Sequence, residues 1–402
     1  GGQKKKRTAF AQSDTGKQLM TALIDAVRRE ESAGTVERFP HHKFRTLLLS
    51  GNICGGCTVQ DTYTGELLRF VCDAVLIATG GLHGLFGDTT GSLANTGEVT
   101  AELFRLGVPM ANLEMIQYHP TTVELGEKRM LLSEAARGEG GRLFALRNGK
   151  PWYFMEEKYP ELGNLMPRDI TAREVWTVSR DYEVFLDMTE LPKEVMEHKL
   201  AGLVDDCQTY LHKDIRKEPI PILPGIHYFM GGIQVDERHR TSMRNLYAAG
   251  ECCAQYHGAN RLGGNSLLGA IYGGQIAAET ACQEAAGSPN MPCAEEPLLP
   301  DLSPDAQMQM NRILLNALGV VRDTQTLETG VQEIRKLSGT LPLLGRAMLE
   351  SALARKESRG AHWRADYPQR NDAVYCKTTV AHWNGQHIAI SFKSIPERRY
   401  DL

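Results

Sequence analysis

Apolar residues along this chain recur with both helical and strand-like spacing, which is typical of a mixed α/β protein. The apolar face of a predicted helix is formed by Leu19, Leu23, Ile24 and Val27, and we expect this helix to pack against a sheet. Short apolar runs between residues 44 and 71 predict strands and turns, with a hairpin at Thr64-Gly65. The first part of the chain therefore predicts a sheet with helices beside it.

Two further apolar runs have the length of buried strands and stop at glycine. The first, residues 74–81, ends in Thr79-Gly80-Gly81, and the second, residues 246–251, ends in Gly250-Glu251. Open α/β sheets bind ligands beyond the carboxyl ends of their strands. Both strand ends are therefore candidate ligand sites.

A glycine-rich loop follows the second of these strands. Residues 257–264 place Arg261 among three glycines, and Asn265-Ser266 opens a long helix of small residues. Glycine lets the backbone approach a ligand closely, and the amides at a helix start can donate to an electron-rich group. An arginine can hold a carboxylate with two parallel hydrogen bonds. The loop is interpreted as a ligand site, with a simply capped helix as the alternative.

The last part of the chain has a different pattern. Prolines are dense between Ser288 and Pro304, which marks a linker. Beyond the linker, Ile313, Leu314 and Val321 recur at helical spacing, and residues 344–356 continue the same pattern. We expect a small helical bundle followed by a short strand-like tail.

Composition narrows the class of protein. The chain has 402 residues with 42% hydrophobic content, enough for two or three packed domains. A net charge of −4 gives no general affinity for nucleic acid, and Lys4–Arg7 is interpreted as a solvated surface. No apolar run approaches the ~18 residues of a membrane span. Nine irregularly spaced cysteines indicate reduced thiols and a cytoplasmic protein, and Cys54 and Cys57 are interpreted as a structural pair rather than a metal site.

Three polar motifs carry candidate chemistry, although each has a structural alternative. His119 lies in Gln-Tyr-His-Pro-Thr and, taken alone, reads as a core histidine. Glu134 and Arg137 are i,i+3 neighbours that could form only a surface ion pair worth under ~1 kcal/mol. Arg168 follows a proline that leads into a helix, and Asp169 then occupies the first turn, where the helix dipole favours negative charge.

Together these motifs resemble the flavoprotein subunits of fumarate reductase and succinate dehydrogenase, with L-aspartate oxidase as a near relative. The resemblance covers nearly the whole chain and includes His257-Gly-Ala-Asn-Arg261 and Met230-Gly-Gly232. It implies FAD as the cofactor and the interconversion of fumarate and succinate as the reaction. No metal ligand set is implied in this chain.

The resemblance also implies roles for individual residues. Arg168 resembles the general acid of the family, and Glu134 and Arg137 resemble the relay that resupplies its proton. The implied substrate residues are His119, Thr121, Ser133, His227 and Arg261. The implied cofactor residues are Thr79, Gly80, Gly81, Glu98, Glu251, Asn265, Ser266 and Leu267. The sequence departs from the family at Glu98-Val99, where the family has Asp-Gly, and at Ser133, where the family has threonine.

The implied architecture is an α/β flavoprotein with three domains. An incomplete Rossmann-like FAD-binding domain would comprise residues 1–110 and 227–290, with an α+β capping domain inserted at 111–226 and a helical domain at 291–402. No Gly-x-Gly-x-x-Gly occurs in the sequence, although this fingerprint holds the flavin pyrophosphate in the family. We therefore expect the first βαβ unit to be missing from these residues, and the chain alone to bind flavin poorly.

Partners and alternatives follow from the same resemblance. It implies a dicarboxylate substrate, an iron–sulfur subunit and a membrane-anchor subunit, with peripheral attachment at the inner membrane face through these partners. No four-cysteine ferredoxin pattern occurs in this chain, so an iron–sulfur relay would lie on another polypeptide. Two alternatives stay open, namely an L-aspartate oxidase-type flavoenzyme and a non-catalytic or apo binding subunit.

Overall fold

The computed structural model describes residues 9, 11, 15–284, 294–295 and 298–395. The basic run Lys4–Arg7 and part of the proline-rich linker lie outside the described residues. The described part has the predicted α/β class, with several sheets, an inserted α+β region and a set of C-terminal helices.

The secondary structure alternates between strands and helices through most of the chain. The strands are β1 (His42–Ser50), β2 (Ile53–Asp61), β3 (Leu67–Val71), β4 (Val75–Ile77), β5 (Met110–Ala111), β6 (Ile116–Leu125), β7 (Lys128–Leu131), β8 (Arg142–Arg147), β9 (Lys150–Trp152), β10 (Val184–Asp187), β11 (Ile220–Pro221), β12 (Leu223–Phe229), β13 (Gly232–Ile233), β14 (Leu246–Ala248), β15 (Ala294–Glu295), β16 (Lys377–Trp383) and β17 (Ile388–Ser394). The helices are α1 (Thr15–Ala33), α2 (Glu98–Arg105), α3 (Glu134–Gly138), α4 (Phe154–Lys158), α5 (Arg168–Val178), α6 (Ala201–Leu211), α7 (Asn265–Glu284), α8 (Pro304–Ala317), α9 (Thr324–Ile334), α10 (Thr340–Ala354) and α11 (Asp372–Tyr375).

The sheets are small, and most of their pairs are antiparallel. β1, β2 and β3 form a meander with β15 at its edge, and the predicted Thr64-Gly65 turn joins β2 to β3. β4 and β14 pair in parallel. β12, β6 and β7 form one sheet, and β11, β10, β8 and β9 form another. The tail forms the hairpin β16–β17, which continues the β5–β13 pair.

Two large hydrophobic clusters lie in different parts of the chain. The first combines buried residues between 47 and 118, between 226 and 253, and from the C-terminal helices and hairpin. The second is built from residues between 132 and 222, inside the predicted capping segment. The C-terminal helices therefore share a core with the first part of the chain, whereas the inserted region has its own. The domain boundaries themselves stay a prediction.

The prediction for α1 was wrong in one respect. The helix forms, but it has no buried residue, and Leu23, Ile24 and Val27 of its apolar face are 50%, 42% and 41% exposed. Helical spacing identifies which residues share a face, but it does not specify what covers that face. The expected packing of α1 on a sheet is absent from the described residues.

A buried ionic cluster fixes the C-terminal region to the start of β6. Nε of Arg355 donates to Oε1 of Glu114 at 2.7 Å, and neither side chain is exposed. Thr379 donates to the same carboxylate oxygen, and Nη1 of Arg355 reaches Glu357 at 2.9 Å. Removing one partner of a buried pair leaves an uncompensated charge, so this cluster holds the strand that carries several site residues.

Candidate active site

Five segments of the chain bring polar side chains to one place. β6 contributes Gln117 and His119, and β12 contributes His227. β12 pairs with β6 in antiparallel register, which places both histidine rings on neighbouring strands. Three further elements, namely α3, the start of α5 and the loop before α7, carry the charged residues.

Arg168 and Glu134 form the central ion pair. Nε and Nη2 of Arg168 lie 2.9 and 2.8 Å from the same carboxylate oxygen, Oε2 of Glu134. The sequence folds this way because Pro167 precedes α5 and Ser133 caps α3, so both charged side chains stand at helix starts. Burial acts to raise the pKa of Glu134, but the nearby guanidiniums of Arg168 and Arg137 lower it well below its usual range.

Arg137 lies behind this pair and is 2% exposed. Its Nη1 donates to the carbonyl of Asn164 at 2.8 Å, and its Nη2 lies 3.8 Å from Oε1 of Glu134. Burial lowers the pKa of Arg137 to about 10, and the charge of Arg168 adds to this effect. Arg168, Glu134 and Arg137 thus form a continuous chain of charges in the structure, and their role as a proton relay stays a prediction.

The rings of the two histidines face each other. Their ring centroids are 5.3 Å apart at an interplanar angle of 71°. Burial lowers the pKa of both His119 and His227 well below the usual range, and the positive charge of Arg168 lowers both further. Nδ1 of His227 contacts the hydroxyl of Thr90 at 2.9 Å, whereas Nε2 of His119 is buried and has no hydrogen-bond partner among the described residues.

Arg261 is 4% exposed and lies over an aromatic ring. Its guanidinium carbon is 4.5 Å from the centroid of Tyr228, within the range of a cation–π contact. Burial lowers the pKa of Arg261 to about 10, and the charge of Arg168 contributes in the same direction. Nε of Arg261 has no hydrogen-bond partner within the described ranges.

The two predicted hydroxyls are already engaged within the protein. The hydroxyl of Thr121 donates to the carbonyl of Leu132 at 3.0 Å. Ser133 caps α3 by accepting from the amide of Ala135 at 3.2 Å, and its side chain is exposed. Both hydroxyls therefore bond to the backbone where β7 leads into α3, Thr121 at Leu132 and Ser133 at Ala135. Their contact with substrate stays a prediction.

An amide network that the sequence analysis did not assign connects the site. Oε1 of Gln117 accepts from Nη1 of Arg168 at 3.2 Å, and its Nε2 donates to Oδ1 of Asn260 and to the carbonyl of Arg261, each at 2.8 Å. Asn260 donates in turn to Asp169 at 2.8 Å. Gln117 is the first residue of the Gln-Tyr-His-Pro-Thr motif that contains His119. This position was the sequence feature that could have identified it as a site residue.

The strand ends predicted to bind a cofactor lie side by side. β4 and β14 run parallel, and their carboxyl ends lead into Gly80-Gly81 and Gly250-Glu251. A Cβ at Gly81 would lie 2.7 Å from Oε1 of Glu251, and one at Gly80 would lie 2.7 Å from Asn95. Glycine at both positions therefore lets the backbone pack closely against Glu251 and Asn95, at the edge where α/β sheets bind nucleotide cofactors, and these residues fit a flavin.

The remaining predicted cofactor residues lie in two different surroundings. Asn265 and Ser266 are half-buried at the start of α7, and Leu267 is 37% exposed, so the first amides of a long helix stand near the Arg261 loop. Glu98 begins α2, but its carboxylate lies 2.9 Å from Nζ of Lys43. The cofactor contact predicted for Glu98 would compete with this ion pair.

The fold and the site are those of a flavoprotein oxidoreductase. Family models match the chain as an FAD binding domain over residues 1–267 and as the fumarate reductase flavoprotein C-terminal region over residues 338–400. The chain belongs to the fumarate reductase and succinate dehydrogenase flavoprotein family, and FAD is its cofactor. The predicted family, fold class and cofactor are thereby confirmed.

Individual relatives agree with this assignment. The succinate dehydrogenase flavoprotein subunit of Bacillus subtilis is 37% identical over 95% of this chain and 74% of its own length. The L-aspartate oxidase of Streptomyces coelicolor is 30% identical over 99% of this chain and 75% of its own length. The flavoprotein of E. coli quinol fumarate reductase superposes with a TM-score of 0.86 at 26% identity, over 98% of this chain and 77% of that chain.

Proposed function

We propose that this protein interconverts fumarate and succinate with FAD as its redox cofactor. The observation that carries the proposal is a pair of buried donors without hydrogen-bond partners in the described part of the chain, namely Nε2 of His119 and Nε of Arg261. A buried polar group left unsatisfied costs ~1–3 kcal/mol, so these donors favour a ligand that is rich in acceptor oxygens. A dicarboxylate supplies such oxygens at both of its ends.

The charge of the site supports the same class of substrate. Arg137 and Arg168 share the carboxylate of Glu134, and Arg261 lies near the carboxylates of Glu251 and Glu134 without an ion pair to either in the described residues. Burial of these cations is costly unless negative charge is supplied, and a dianion supplies it. An amino acid such as L-aspartate adds an ammonium group, which this cluster of cations disfavours.

Arg168 is the proposed proton donor to the substrate carbon. Oε2 of Glu134 lies 2.8 Å from its Nη2, so a proton can return to the guanidine directly through this contact. Arg137 lies on the far side of Glu134 and would continue the route. In succinate oxidation the same groups would carry the proton away from the substrate.

The histidines and Arg261 would hold and polarise the substrate carboxylates. Because burial and the charge of Arg168 lower the pKa of His119 and of His227 well below its usual range, each would donate one ring N–H without bringing another charge into the pocket. Arg261 offers its unpartnered Nε to the opposite carboxylate. Preorganised donors of this kind stabilise the negative charge that develops beside a carboxylate during the reaction. We also assign the Thr121 or Ser133 hydroxyl a secondary role at the same carboxylates.

FAD would be held at the ends of the two parallel strands and at the start of α7. Bound FAD supplies the electron pair of the reaction, as hydride exchange at its ring. Glu251 would bind hydroxyl groups of the cofactor, and Thr79, Gly80 and Gly81 would offer backbone beside it. The amides of Asn265, Ser266 and Leu267 would donate to the electron-rich end of the ring. Glu98 remains a proposed contact on the nucleotide side.

Electron transfer to this protein would involve other polypeptides. We propose an iron–sulfur subunit as the electron partner and a membrane-anchor subunit as the route to peripheral membrane attachment. Within the described ranges, no helix has both the length and the apolar character needed to cross a bilayer. The partner assignment is tested by co-purification of an iron–sulfur protein with the full chain.

Anaerobic assays of the FAD-loaded protein test the proposed reaction. Fumarate should oxidise a reduced viologen dye, and succinate should reduce an oxidised dye. Both activities should be inhibited by malonate, a dicarboxylate that lacks the carbon pair to be oxidised. Hydrogen peroxide formation from L-aspartate and oxygen, without turnover of either dicarboxylate, would replace the proposal with an L-aspartate oxidase. Absence of all three activities in protein that binds FAD would favour a non-catalytic subunit.

A further inference from the structure

His83 lies between the cofactor side and the substrate side of the site, and the proposed function gives it no role. It follows Gly80-Gly81 and begins a single helical turn that ends at Leu85. Its side chain is 3% exposed, although histidine is rarely buried without specific contacts. The contacts of both ring nitrogens therefore need an explanation.

The two ring nitrogens of His83 face opposite parts of the site. Nδ1 lies 3.2 Å from the hydroxyl of Thr89, and Nε2 lies 3.7 Å from Oε1 of Glu251. The same Oε1 accepts the amide of Phe229 at 3.0 Å. The imidazole packs edge-on against the Phe229 ring, with centroids 5.1 Å apart and an interplanar angle of 81°. The ring is thus held from three sides.

The contact with Thr89 leads to the substrate histidine. Thr89 forms a bridge with Ile226, and the neighbouring Thr90 donates its amide to the carbonyl of Ile226 at 2.9 Å. The hydroxyl of Thr90 contacts Nδ1 of His227 at 2.9 Å. Any shift of the Thr89-Thr90 segment would therefore change the orientation of the His227 ring.

The position of His83 is also sterically fixed. A Cβ at Gly91 would lie 2.3 Å from Cε1 and Nε2 of the imidazole, so only glycine at position 91 leaves room for the ring. This close approach leaves the imidazole little freedom to rotate away from its two partners. The His83 ring is therefore held in one orientation and can fix the positions of Thr89 and Glu251.

We propose that His83 is a positioning residue that joins the two halves of the site, holding Glu251 through Nε2 and the Thr89-Thr90 support of His227 through Nδ1. The inference rests on the proposed function, because Glu251 is there assigned to the cofactor and His227 to the substrate. One ring thereby couples the geometry of cofactor binding to that of substrate binding.

Three substitutions separate the two contacts. His83→Gln places an amide near Nε2, His83→Asn places one near Nδ1, and His83→Phe keeps the ring but removes both nitrogens. The contact of Nδ1 with Thr89 is a hydrogen bond, whose loss corresponds to roughly threefold to tenfold in a binding constant, whereas Nε2 at 3.7 Å from Glu251 makes a weaker electrostatic contact. His83→Gln should raise KM for fumarate about threefold to tenfold and leave the FAD dissociation constant unchanged. His83→Asn should raise the FAD dissociation constant by a smaller factor, about twofold to threefold, and leave KM unchanged, whereas His83→Phe should raise both. The control is the exposed His198→Gln, with no effect on either constant.

The FAD dissociation constant is measured by flavin fluorescence on the full chain without dicarboxylate, and KM is measured on the FAD-loaded protein. Unchanged constants in His83→Phe would overturn the proposal, as would equal shifts of both constants in the two amide variants, which indicate packing alone. If His83→Phe does not fold, the two amide variants decide the question by themselves. A wild-type protein without dicarboxylate turnover but with the expected pattern in FAD affinity would reject the proposed function and retain the cofactor contact of His83.

Discussion

Gly263 lies directly against the carboxylate of Glu134. A Cβ at position 263 would be 2.8 Å from Oε2 of Glu134 and 3.2 Å from Nη2 of Arg168. The glycine-rich loop thus closes over the ion pair that we assign to proton delivery. A side chain at this position must displace one partner of that pair, because the new atom would occupy the space between loop and carboxylate.

Gly263→Ala should lower kcat of fumarate reduction about tenfold while leaving FAD affinity close to that of the wild type. The reason is that catalysis depends on the 2.8 Å contact between Glu134 and Arg168, and displacements near 1 Å can cost ~10²-fold in rate. The matched control is Gly274→Ala on α7, where a Cβ would meet nothing within 4 Å. Equal kcat in both variants would show that the loop does not constrain the ion pair.

Arg168→Gln should lower kcat by ~10²–10⁴-fold, the range that a positioned general acid contributes. The FAD absorption spectrum and the FAD dissociation constant should stay unchanged, because Arg168 contacts Glu134 and Gln117 rather than the proposed cofactor residues. Arg180→Gln is the control, since Arg180 is an exposed arginine near the end of the same helix. Turnover near the wild-type rate in Arg168→Gln would remove this residue from the acid role.

The stability contribution of Glu134 should depend on pH with a defined sign. Its pKa in the folded protein lies below the unfolded value of about 4.3 because Arg168 and Arg137 outweigh the effect of burial. The carboxylate therefore stabilises the fold fully above that unfolded pKa, and the contribution is lost as pH falls through the folded pKa. The Tm difference between wild type and Glu134→Gln should be largest near pH 7 and shrink in acid. Glu197→Gln at the surface is the control. A Tm difference that grows as pH falls would contradict the assignment of Glu134 as an ionised partner.

Particular residues explain what could be predicted from sequence. Arg168, Glu134 and Arg137 were identified because each lies in a local motif, and the structure brings them into one chain of charges. Gln117 was missed because its partner Asn260 is 143 residues away, and no local pattern reports that contact. His83 was missed for the same reason, since its nitrogens meet Thr89 and the distant Glu251.

The fold shows the same limit. The strands that end at Gly80-Gly81 and Gly250-Glu251 were predicted from apolar runs, and they form as expected. Their parallel pairing depends on a contact between segments far apart in the chain. The apolar face of α1 was identified, but the predicted packing of α1 on a sheet was wrong. Hydrophobic spacing shows which residues share a face and does not specify which element packs against it.

Gln117→Leu should impair both stability and catalysis, because one buried amide serves three partners. The substitution leaves Nη1 of Arg168, Oδ1 of Asn260 and the carbonyl of Arg261 without the contacts that Gln117 provides. Unsatisfied buried groups cost ~1–3 kcal/mol, so the free energy of unfolding should fall by about that amount. Because Arg168 and the loop that carries Asn260 and Arg261 would then be held less firmly, kcat/KM for fumarate should also fall by at least tenfold.

Gln117→Glu distinguishes these effects. It keeps an acceptor for Arg168 but removes the donor to the Asn260 loop, so the defect in the loop remains while Arg168 is still held. Substrate affinity through Arg261 should therefore decline more than kcat does. The control for losing a side-chain amide is Gln275→Leu. Gln275 is exposed, and among the described residues its side chain bonds only to Glu279. If Gln117→Leu unfolds at the same denaturant midpoint as the wild type and retains its kcat/KM, the amide network does not hold the site together.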